Sequence, residues 1–186
     1  MIQKWIPVKL ESIGKVESGK DIYAAERVTG NIPYITAGSK NNGIGYFVGN
    51  LNITLDEGYV AFNRNGAIGQ AFYHDYQSLL GNDCRKIHIS AADNDEYVGL
   101  FIALAITKQK NCFSYSRKLG TQRAKQMKIM LPSVDGKTPN YEFMRQYVSS
   151  LMHHQYEVLS SFFDDRQNAQ DNHYGCGSLP AVDNEV

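Results

Sequence analysis

The sequence has few cysteines, no long apolar run and no surplus of charge, and each absence excludes a class of protein. Its 186 residues contain three widely separated cysteines and no CxxC pair, so neither a disulfide framework nor a zinc site is indicated. The longest apolar run, residues 98–106, is too short to cross a bilayer. With 42% hydrophobic and 20% charged residues, the chain is predicted to form one globular domain with an appendage.

The first ten residues predict the cellular compartment of the protein. The stretch MIQKWIPVKL is interrupted by charged, polar and proline residues where a secretory leader would need an unbroken apolar run. We therefore expect a cytoplasmic protein that makes no contact with a membrane. In that compartment we expect reduced thiols at Cys84, Cys112 and Cys176.

Charge is balanced over the whole chain but unevenly distributed along it. The 19 Lys and Arg residues match 19 Asp and Glu residues, which by itself argues against a polyanion as a partner. Five of the acids and one of the bases follow position 163, so the preceding body has a net charge of +4. Residues 97–134 contain no Asp or Glu, and their seven Lys and Arg residues all lie within residues 108–128. This basic segment can face phosphates.

Short β-branched and aromatic runs between Gly and Asn turns predict strands in the first half of the chain. The predicted strands are residues 5–10, 32–36, 58–62, 68–73 and 85–89, with a further strand at 127–131. Residues 19–28 can form a short helix. A buried helix is predicted over residues 93–108, because Asp93 and Glu96 have the spacing of a capping box and an apolar run follows them.

The clearest predicted helix covers residues 138–165. Thr138 suits its N-cap and Pro139 its first turn. Apolar residues recur at alternating four- and three-residue steps, and Gln155 interrupts them in a way typical of a residue that fixes the register of paired helices. The alternative is that this helix folds back over its own sheet. The predicted assembly interface is Met144, Val148, Leu151, Gln155, Val158 and Phe162.

A search for catalytic motifs yields weak candidates. The turn Asn31-Ile32-Pro33-Tyr34 is similar to the motif with which amino-methyltransferases hold a flipped adenine, but only about thirty residues precede it, too few for a methyl-donor site. Asp135-Gly136-Lys137 lacks the companion carboxylate of a magnesium nuclease site. His153 and His154 are adjacent on a helix and cannot face one metal. We therefore expect no catalytic residue, no metal and no cofactor.

Two Gly- and Asn-rich loops carry side chains that can read base edges, because Asn can bond adenine and Arg can bond guanine bidentately. They are residues 39–45, the first loop, and residues 63–66, the second loop. Asn-Gly is also the commonest hairpin turn, so the loops alone leave both interpretations open. In the basic segment, hydroxyls and an amide accompany the cations, a mixture suited to phosphate contacts. The candidate DNA-binding residues are Lys40, Asn41, Asn42, Asn63, Arg64, Asn65, Lys108, Lys110, Tyr115, Arg117, Lys118, Gln122 and Arg123.

Five segments carry a family resemblance when they are taken in order. They span most of residues 1–131 and read WIPVKLESIGKVESGK, GNIPYITAGSKNNGIGYF, GAIGQAFYHD, YVGLFIALAI and KLGTQRAKQMKIMLP. Together they resemble the target recognition domain of type I restriction-modification specificity subunits. The following LPSVDGKTPNYEFMRQYVSSL is similar to the segment where such a domain passes into a spacer helix, including the versions in related type II enzymes.

The resemblance implies an α+β fold with a mixed, mostly antiparallel sheet, a packed helix and a C-terminal spacer helix. The corresponding boundaries are a recognition domain over residues 1–134, a helix over 138–165 and a mobile acidic tail over 166–186.

The resemblance also implies a non-catalytic subunit that binds double-stranded DNA and directs methyltransferase and nuclease subunits to a bipartite sequence. Such a subunit carries two recognition domains and two long helices, whereas this chain has room for one of each. We therefore expect either a homodimer through the C-terminal helix or a split or truncated chain. Two other classes stay open, a DNA amino-methyltransferase fragment and a protein-interaction module that acts on a restriction complex.

Overall fold

The structure is a computed structural model that describes residues 3–174, and the chain divides into two units, residues 1–148 and 149–186. The strands are β1 Lys4–Lys9, β2 Val16–Ser18, β3 Thr29–Ile35, β4 Ile44–Val48, β5 Tyr59–Asn63, β6 Ala71–His74, β7 Leu79–Leu80, β8 Cys84–Ile87 and β9 Lys128–Ser133. The helices are α1 Glu96–Thr107, α2 Thr121–Gln126 and α3 Tyr141–Tyr174. Single 3₁₀ turns lie at Leu10–Ser12, Ala24–Glu26, Asn41–Gly43 and Lys110–Cys112.

The strands are arranged in three sheets whose pairings are almost all antiparallel. A four-stranded sheet has the order β2-β8-β5-β6, a three-stranded sheet has the order β4-β3-β7, and β1 pairs with β9. The β3–β7 pair is parallel. The pairing of β1 with β9 sets Trp5 opposite Pro132 and so joins the two ends of the domain. The predicted α+β class with mostly antiparallel strands is confirmed, although the strands form three small sheets.

The main core lies between helix α1 and the four-stranded sheet. Val98, Ile102 and Ile106 on one face of α1 are fully buried against this sheet. Gly99 permits the close approach, because a methyl group at this position would lie 2.2 Å from Cδ2 of Tyr73. The apolar run that predicted a buried helix therefore has one face in the core.

Both long helices begin later than predicted, and each has a different N-cap. The Asp95 carboxylate accepts a hydrogen bond from the backbone N–H of Val98 at 3.0 Å, so α1 begins after Asp95. At α3 the amide oxygen of Asn140 accepts from the N–H of Phe143 at 2.9 Å. Thr138, the predicted cap, instead donates its backbone N–H to Asp135 at 2.7 Å within the preceding turn.

The first turns of α3 belong to the domain core, which corrects part of the predicted assembly interface. Met144 is fully buried, and Tyr141 and Val148 pack against the same core. Met144 is therefore unavailable to a partner, and the prediction for this residue was wrong. In the second unit the apolar side chains of the helix are exposed at Leu151, Val158, Leu159, Phe162 and Phe163.

Helix α3 continues to Tyr174, so the first part of the predicted tail is helical. The remainder of that prediction, residues 175–186 with Cys176, lies outside the described residues. No helix in the described part of the chain has the length and apolar character needed to span a membrane.

Several short elements have no counterpart in the sequence prediction. They are β2, β4, β7 and α2, of which the longest, α2, has six residues. The helix predicted over residues 19–28 was wrong, since the structure has one 3₁₀ turn there, at Ala24–Glu26.

Candidate nucleic-acid interface

The two Gly- and Asn-rich loops lie side by side, although 17 residues separate them in sequence. The side-chain amide of Asn63 donates a hydrogen bond to the carbonyl oxygen of Gly38 at 2.7 Å. The backbone N–H of Ala67 donates to the carbonyl oxygen of Ala37 at 3.1 Å. These bonds tie the strand end before the first loop to both ends of the second loop. The structure therefore joins two candidate segments that no sequence pattern connects.

Two of the predicted base-reading residues point into the protein, and the prediction for them is corrected. Asn63 is 2% exposed, and its side-chain amide is engaged in the hydrogen bond to Gly38. Asn42 donates to the hydroxyl of Tyr76 at 2.8 Å and to the carbonyl oxygen of Tyr73 at 3.3 Å. Asn42 also has a φ of 52°, a left-handed conformation that asparagine tolerates well. Both amides hold loops in place. The sequence prediction failed here because turns and base recognition favour the same residue type, asparagine.

Arg64 and Asn65 are engaged with Asp83, in the turn between β7 and β8. The Arg64 guanidinium forms a salt bridge with the Asp83 carboxylate at 2.9 Å, and the Asn65 amide reaches the same oxygen at 3.4 Å. The backbone N–H groups of both residues also donate to the carbonyl oxygen of Asp83. Nε of Arg64 is buried and has no hydrogen-bond partner among the described residues. The Asp83 carboxylate therefore holds both side chains against the turn between β7 and β8.

Lys40 and Asn41, by contrast, are exposed on the first loop. Asn41 has a φ of 50°, which turns the chain sharply into the 3₁₀ turn before β4. These are the predicted loop residues that the structure leaves open to a ligand.

The basic segment begins beside the second loop. A methyl group at Gly69 would lie 2.9 Å from the Cα atom of Lys110, so the backbones of the two segments are in contact. Beyond Lys110 the chain turns tightly, with the N–H of Arg117 donating to the carbonyl oxygen of Ser114 at 2.9 Å. Tyr115, at the tip of this turn, is 82% exposed. The turn therefore presents aromatic and cationic groups to solvent.

Of the remaining predicted phosphate contacts, Lys118, Gln122 and Arg123 lie next to this turn or on helix α2, whereas Lys108 is the C-cap residue of α1. The ammonium group of Lys118 lies 4.7 Å from the centre of the Tyr115 ring, a cation–π contact. The Arg123 guanidinium donates to the carbonyl oxygen of Lys118 at 2.8 Å, which fixes α2 against the turn. Lys108, Gln122 and Arg123 are exposed. Because residues 97–134 contain no carboxylate, these cations have no acidic neighbours in their own segment.

Sequence reasoning missed a cavity lined by aromatic and charged residues next to the loops. It has a volume of about 360 Å³, and its wall includes Arg27, Tyr34, Tyr46 and Asp83. The Arg27 guanidinium lies 3.9 Å from the centre of the Tyr46 ring, on β4. No sequence signal predicted this pair, since no strand was predicted at residues 44–48 and Arg27 was assigned to a helix.

The Asn31-Ile32-Pro33-Tyr34 motif lies within strand β3 and does not form an adenine-binding turn. Tyr34 is 2% exposed, and its hydroxyl accepts a hydrogen bond from the backbone N–H of Ile22 at 3.1 Å. Burial raises the pKa of the Tyr34 hydroxyl above its ordinary value. The ring therefore cannot stack on a flipped base, and the methyltransferase interpretation of this motif was wrong.

The buried titratable groups have structural causes for their shifts. Burial raises the pKa of the Cys84 thiol to about 12 and lowers the pKa of His74 to about 4. Burial alone would raise the pKa of Asp56, but hydrogen bonds from His88 and Lys86 outweigh it and bring the pKa below its usual value. Within residues 3–174, no three His, Cys, Asp or Glu side chains converge in a way that could hold a metal ion.

A family model described as the type I restriction modification DNA specificity domain matches residues 2–161. The chain belongs to this family. The specificity subunit S.BcgI of the type II restriction enzyme BgcI, from Heyndrickxia coagulans, is 34% identical over 144 residues, which are 77% of this chain and 42% of that protein. This specificity-domain chain thus spans less than half the length of the curated relative it matches.

Solved structures of specificity subunits share the fold. The S subunit of a type I restriction-modification system from M. genitalium superposes with a TM-score of 0.58 and 19% identity, over 88% of this chain and 44% of that one. The HsdS subunit from Thermoanaerobacter tengcongensis gives a TM-score of 0.57 and 12% identity, over 84% and 38% of the two chains. The family resemblance stated from the sequence motifs is confirmed by the family match over residues 2–161.

Proposed function

We propose that this specificity-domain chain reads one half of a bipartite double-stranded DNA sequence and brings methyltransferase subunits to it. In a restricting complex it would bring a nuclease subunit as well. The observation that carries the proposal is the family match over residues 2–161, which includes the whole predicted recognition domain. The proposal concerns one half-site because the family match covers one recognition domain, over residues 2–161.

The proposed DNA surface combines the first loop with the basic segment, because Gly69 and Lys110 bring the loops and this segment together. We assign base contacts to Asn41 and Lys40, since they are the candidate DNA-binding residues of the first loop that are exposed. Arg64 and Asn65 would join them when Asp83 releases them. Phosphate contacts are assigned to Lys108, Lys110, Tyr115, Arg117, Lys118, Gln122 and Arg123.

We assign no bond-making step to this chain. Tyr34, the aromatic residue of the candidate methyltransferase motif, is buried in β3, and the Cys84 thiol is buried with a raised pKa. Methyl transfer and strand cleavage would be the work of companion subunits, while this chain supplies sequence choice. Its own contribution to the reaction is therefore to position the companion subunits on the DNA.

A second recognition domain would come from a second copy of the chain. The exposed apolar side chains of α3, from Leu151 to Phe163, support self-association, because apolar stripes of this length on a helix are normally covered. A two-fold dimer would give two identical half-site readers and an inverted-repeat target. A hetero-association with a chain that supplies the other half is the competing arrangement.

Selection from a library of randomised DNA duplexes tests the proposal. The purified chain, at low salt, should enrich one sequence motif, and Asn41→Gly should change or abolish that motif without unfolding the protein. Enrichment of no sequence, both by the chain alone and with companion methyltransferase subunits, would contradict it and favour a protein-interaction module. Incubation with DNA and a labelled methyl donor should leave the DNA unmodified, and methylation by the lone chain would refute the assignment of chemistry to companions.

A further inference from the structure

The cavity beside the two loops contains an arginine whose guanidinium is fixed at one end and open at the other. Arg27 lines this cavity of about 360 Å³ together with Tyr46 and Asp83. Nε of Arg27 donates a hydrogen bond to the carbonyl oxygen of Ile22 at 3.1 Å. Within residues 3–174, its two terminal amino groups have no hydrogen-bond acceptor. A guanidinium with both amino groups available can bind a planar pair of acceptors.

The backbone on both sides of Arg27 is held by one side chain, the amide of Asn50. Its nitrogen donates to the carbonyl oxygen of Glu26 at 2.8 Å, and its oxygen accepts from the backbone N–H of Val28 at 2.8 Å. The guanidinium itself lies 3.9 Å from the centre of the Tyr46 ring, in a cation–π contact. Arg27 is therefore pre-organised, so that a ligand binds it with little further loss of conformational entropy.

The cavity adjoins both Gly- and Asn-rich loops. Ala37, just before the first loop, and Gly45, at its end, both lie in the cavity wall. Asp83, in the same wall, forms the 2.9 Å salt bridge with Arg64 of the second loop. The fold therefore places Arg27 next to the proposed DNA surface, although it belongs to neither loop.

Two carboxylates in the cavity wall, those of Asp21 and Asp83, distinguish between the acceptors that a guanidinium can bind. Phosphate and the O6 and N7 edge of guanine both match the geometry of a guanidinium. Phosphate is anionic, and two nearby carboxylates disfavour it. The guanine edge is neutral, and the amino group of its paired cytosine is a donor that a carboxylate can accept. The cavity wall therefore fits the major-groove edge of a G·C pair.

We propose that Arg27, stacked on Tyr46, recognises a guanine of the half-site by donating to its O6 and N7 atoms in the major groove. This inference rests on the proposed function and adds a specificity-determining residue from outside the two loops. Asn50 is a positioning residue, because it acts through the backbone of Arg27. The acidic wall of the cavity faces the cytosine of the same pair.

Selection from randomised duplexes tests the assignment with matched substitutions. Arg27→Met keeps a long side chain on the Tyr46 ring but removes every donor, so one guanine position of the enriched motif should lose its preference by about tenfold or more. Asn50→Ala should weaken the preference at that same position. Tyr46→Phe is the control, because it keeps the face of the ring and should leave the motif unchanged.

The same variants separate base recognition from a phosphate contact. If Arg27 bound a phosphate, Arg27→Met would lower the affinity for all duplexes alike and reduce the salt slope by about one, as we expect of Arg117→Ala. That result, or an unchanged motif in Arg27→Met, would overturn the inference.

A modified base tests the unmodified chain, so its result does not depend on whether a variant folds. Replacement of the recognised guanine by 7-deazaguanine exchanges the N7 acceptor for a C–H group and preserves base pairing. Binding of the unmodified chain should weaken by about tenfold. The same replacement should have no further effect on Arg27→Met, because both changes remove one contact. Full affinity with 7-deazaguanine at every guanine of the motif would contradict the proposal.

These measurements distinguish failure of this inference from failure of the proposed function. A chain that enriches no motif, alone or with companion methyltransferase subunits, would reject the proposed function. A chain that enriches a motif without a guanine, or one whose guanines are insensitive to Arg27→Met and to 7-deazaguanine, would retain the proposed function and reject the role of Arg27 alone.

Discussion

Gly69, between β5 and β6, lies against the backbone of Lys110 at the beginning of the basic segment. A methyl group at Gly69 would lie 2.9 Å from the Cα atom of Lys110, and Gly69 has a φ of +78°, which residues with a side chain rarely adopt. The contact therefore requires glycine for two separate reasons. It is also the point at which the loops adjoin the segment that we assign to phosphates.

Replacement of this glycine should destabilise the domain more than backbone strain alone explains. Gly69→Ala is expected to lower the free energy of unfolding by about 2–4 kcal/mol, from φ strain and from overpacking against Lys110. Gly136→Ala is the control, because Gly136 has a φ of +85° but no atom within 4 Å of the added methyl group, and it should cost about 1–2 kcal/mol. Urea unfolding measures the free energy of unfolding of both variants. Equal losses in the two variants would show that the added methyl group is not strained against Lys110.

The salt dependence of DNA binding should show whether the basic segment contacts phosphates. Arg117→Ala is expected to weaken binding to all duplexes alike and to reduce the slope of log affinity against log salt by about one. Lys137→Ala, an exposed cation outside the basic segment, should leave the slope unchanged. An affinity that does not vary with salt would remove the phosphate role from this segment.

Substitutions at Asn41 and Asn63 should show that DNA recognition and fold stability depend on different side chains. Asn63→Ala is expected to lower the free energy of unfolding by about 1–3 kcal/mol, because it removes a buried amide and leaves the part-buried carbonyl of Gly38 without its donor. Asn41→Gly keeps the left-handed backbone available and removes an exposed amide, so stability should change by less than about 0.5 kcal/mol while sequence choice is altered. Thermal unfolding and duplex selection on both variants make the comparison, and a loss of stability in Asn41→Gly would place that side chain in the framework.

The sequence predicted the long and strongly patterned elements and missed the short ones. Helix α1 followed from a capping signal and an apolar run, and most of α3 followed from apolar periodicity, which is the strongest local signal. Strand β7, Leu79–Leu80, has two residues and forms because β3 lies beside it, so nothing in its own sequence can predict it. The same holds for β4, whose Gly and Asn neighbours favour a loop until β3 supplies hydrogen bonds.

The candidate site was predictable by residue type but not by orientation. Asn42 and Asn63 have the chemistry of base readers, and the structure uses both as hydrogen-bond donors to its own backbone. Arg64 meets Asp83 from a different turn, a pairing that no local pattern encodes. Asparagine in a Gly-rich loop satisfies turn and ligand requirements equally well, and only the three-dimensional neighbours decide between them.

His74 should make the domain sensitive to mild acid. It is fully buried, with Nδ1 3.0 Å from the Tyr76 hydroxyl, and burial lowers its pKa from 6.5 to about 4. Between these two values the unfolded chain binds a proton that the folded chain does not, so stability falls as the pH decreases from about 6.5 to about 4. The loss approaches about 3 kcal/mol at the lower end. Asp56 affects stability in a lower pH range. Its lowered pKa stabilises the fold at pH values above the ordinary carboxyl pKa, and this contribution is lost as the pH falls below that pKa.

Urea unfolding at pH 7 and pH 4.5 measures the effect of His74. His74→Phe should remove most of the difference between the two pH values, since the ring is kept and the titrating group is lost. His153→Phe is the control, because His153 is exposed on α3 and has no buried ring to protonate. An equal fall in stability for the unmodified chain and His74→Phe would show that other groups govern the acid response.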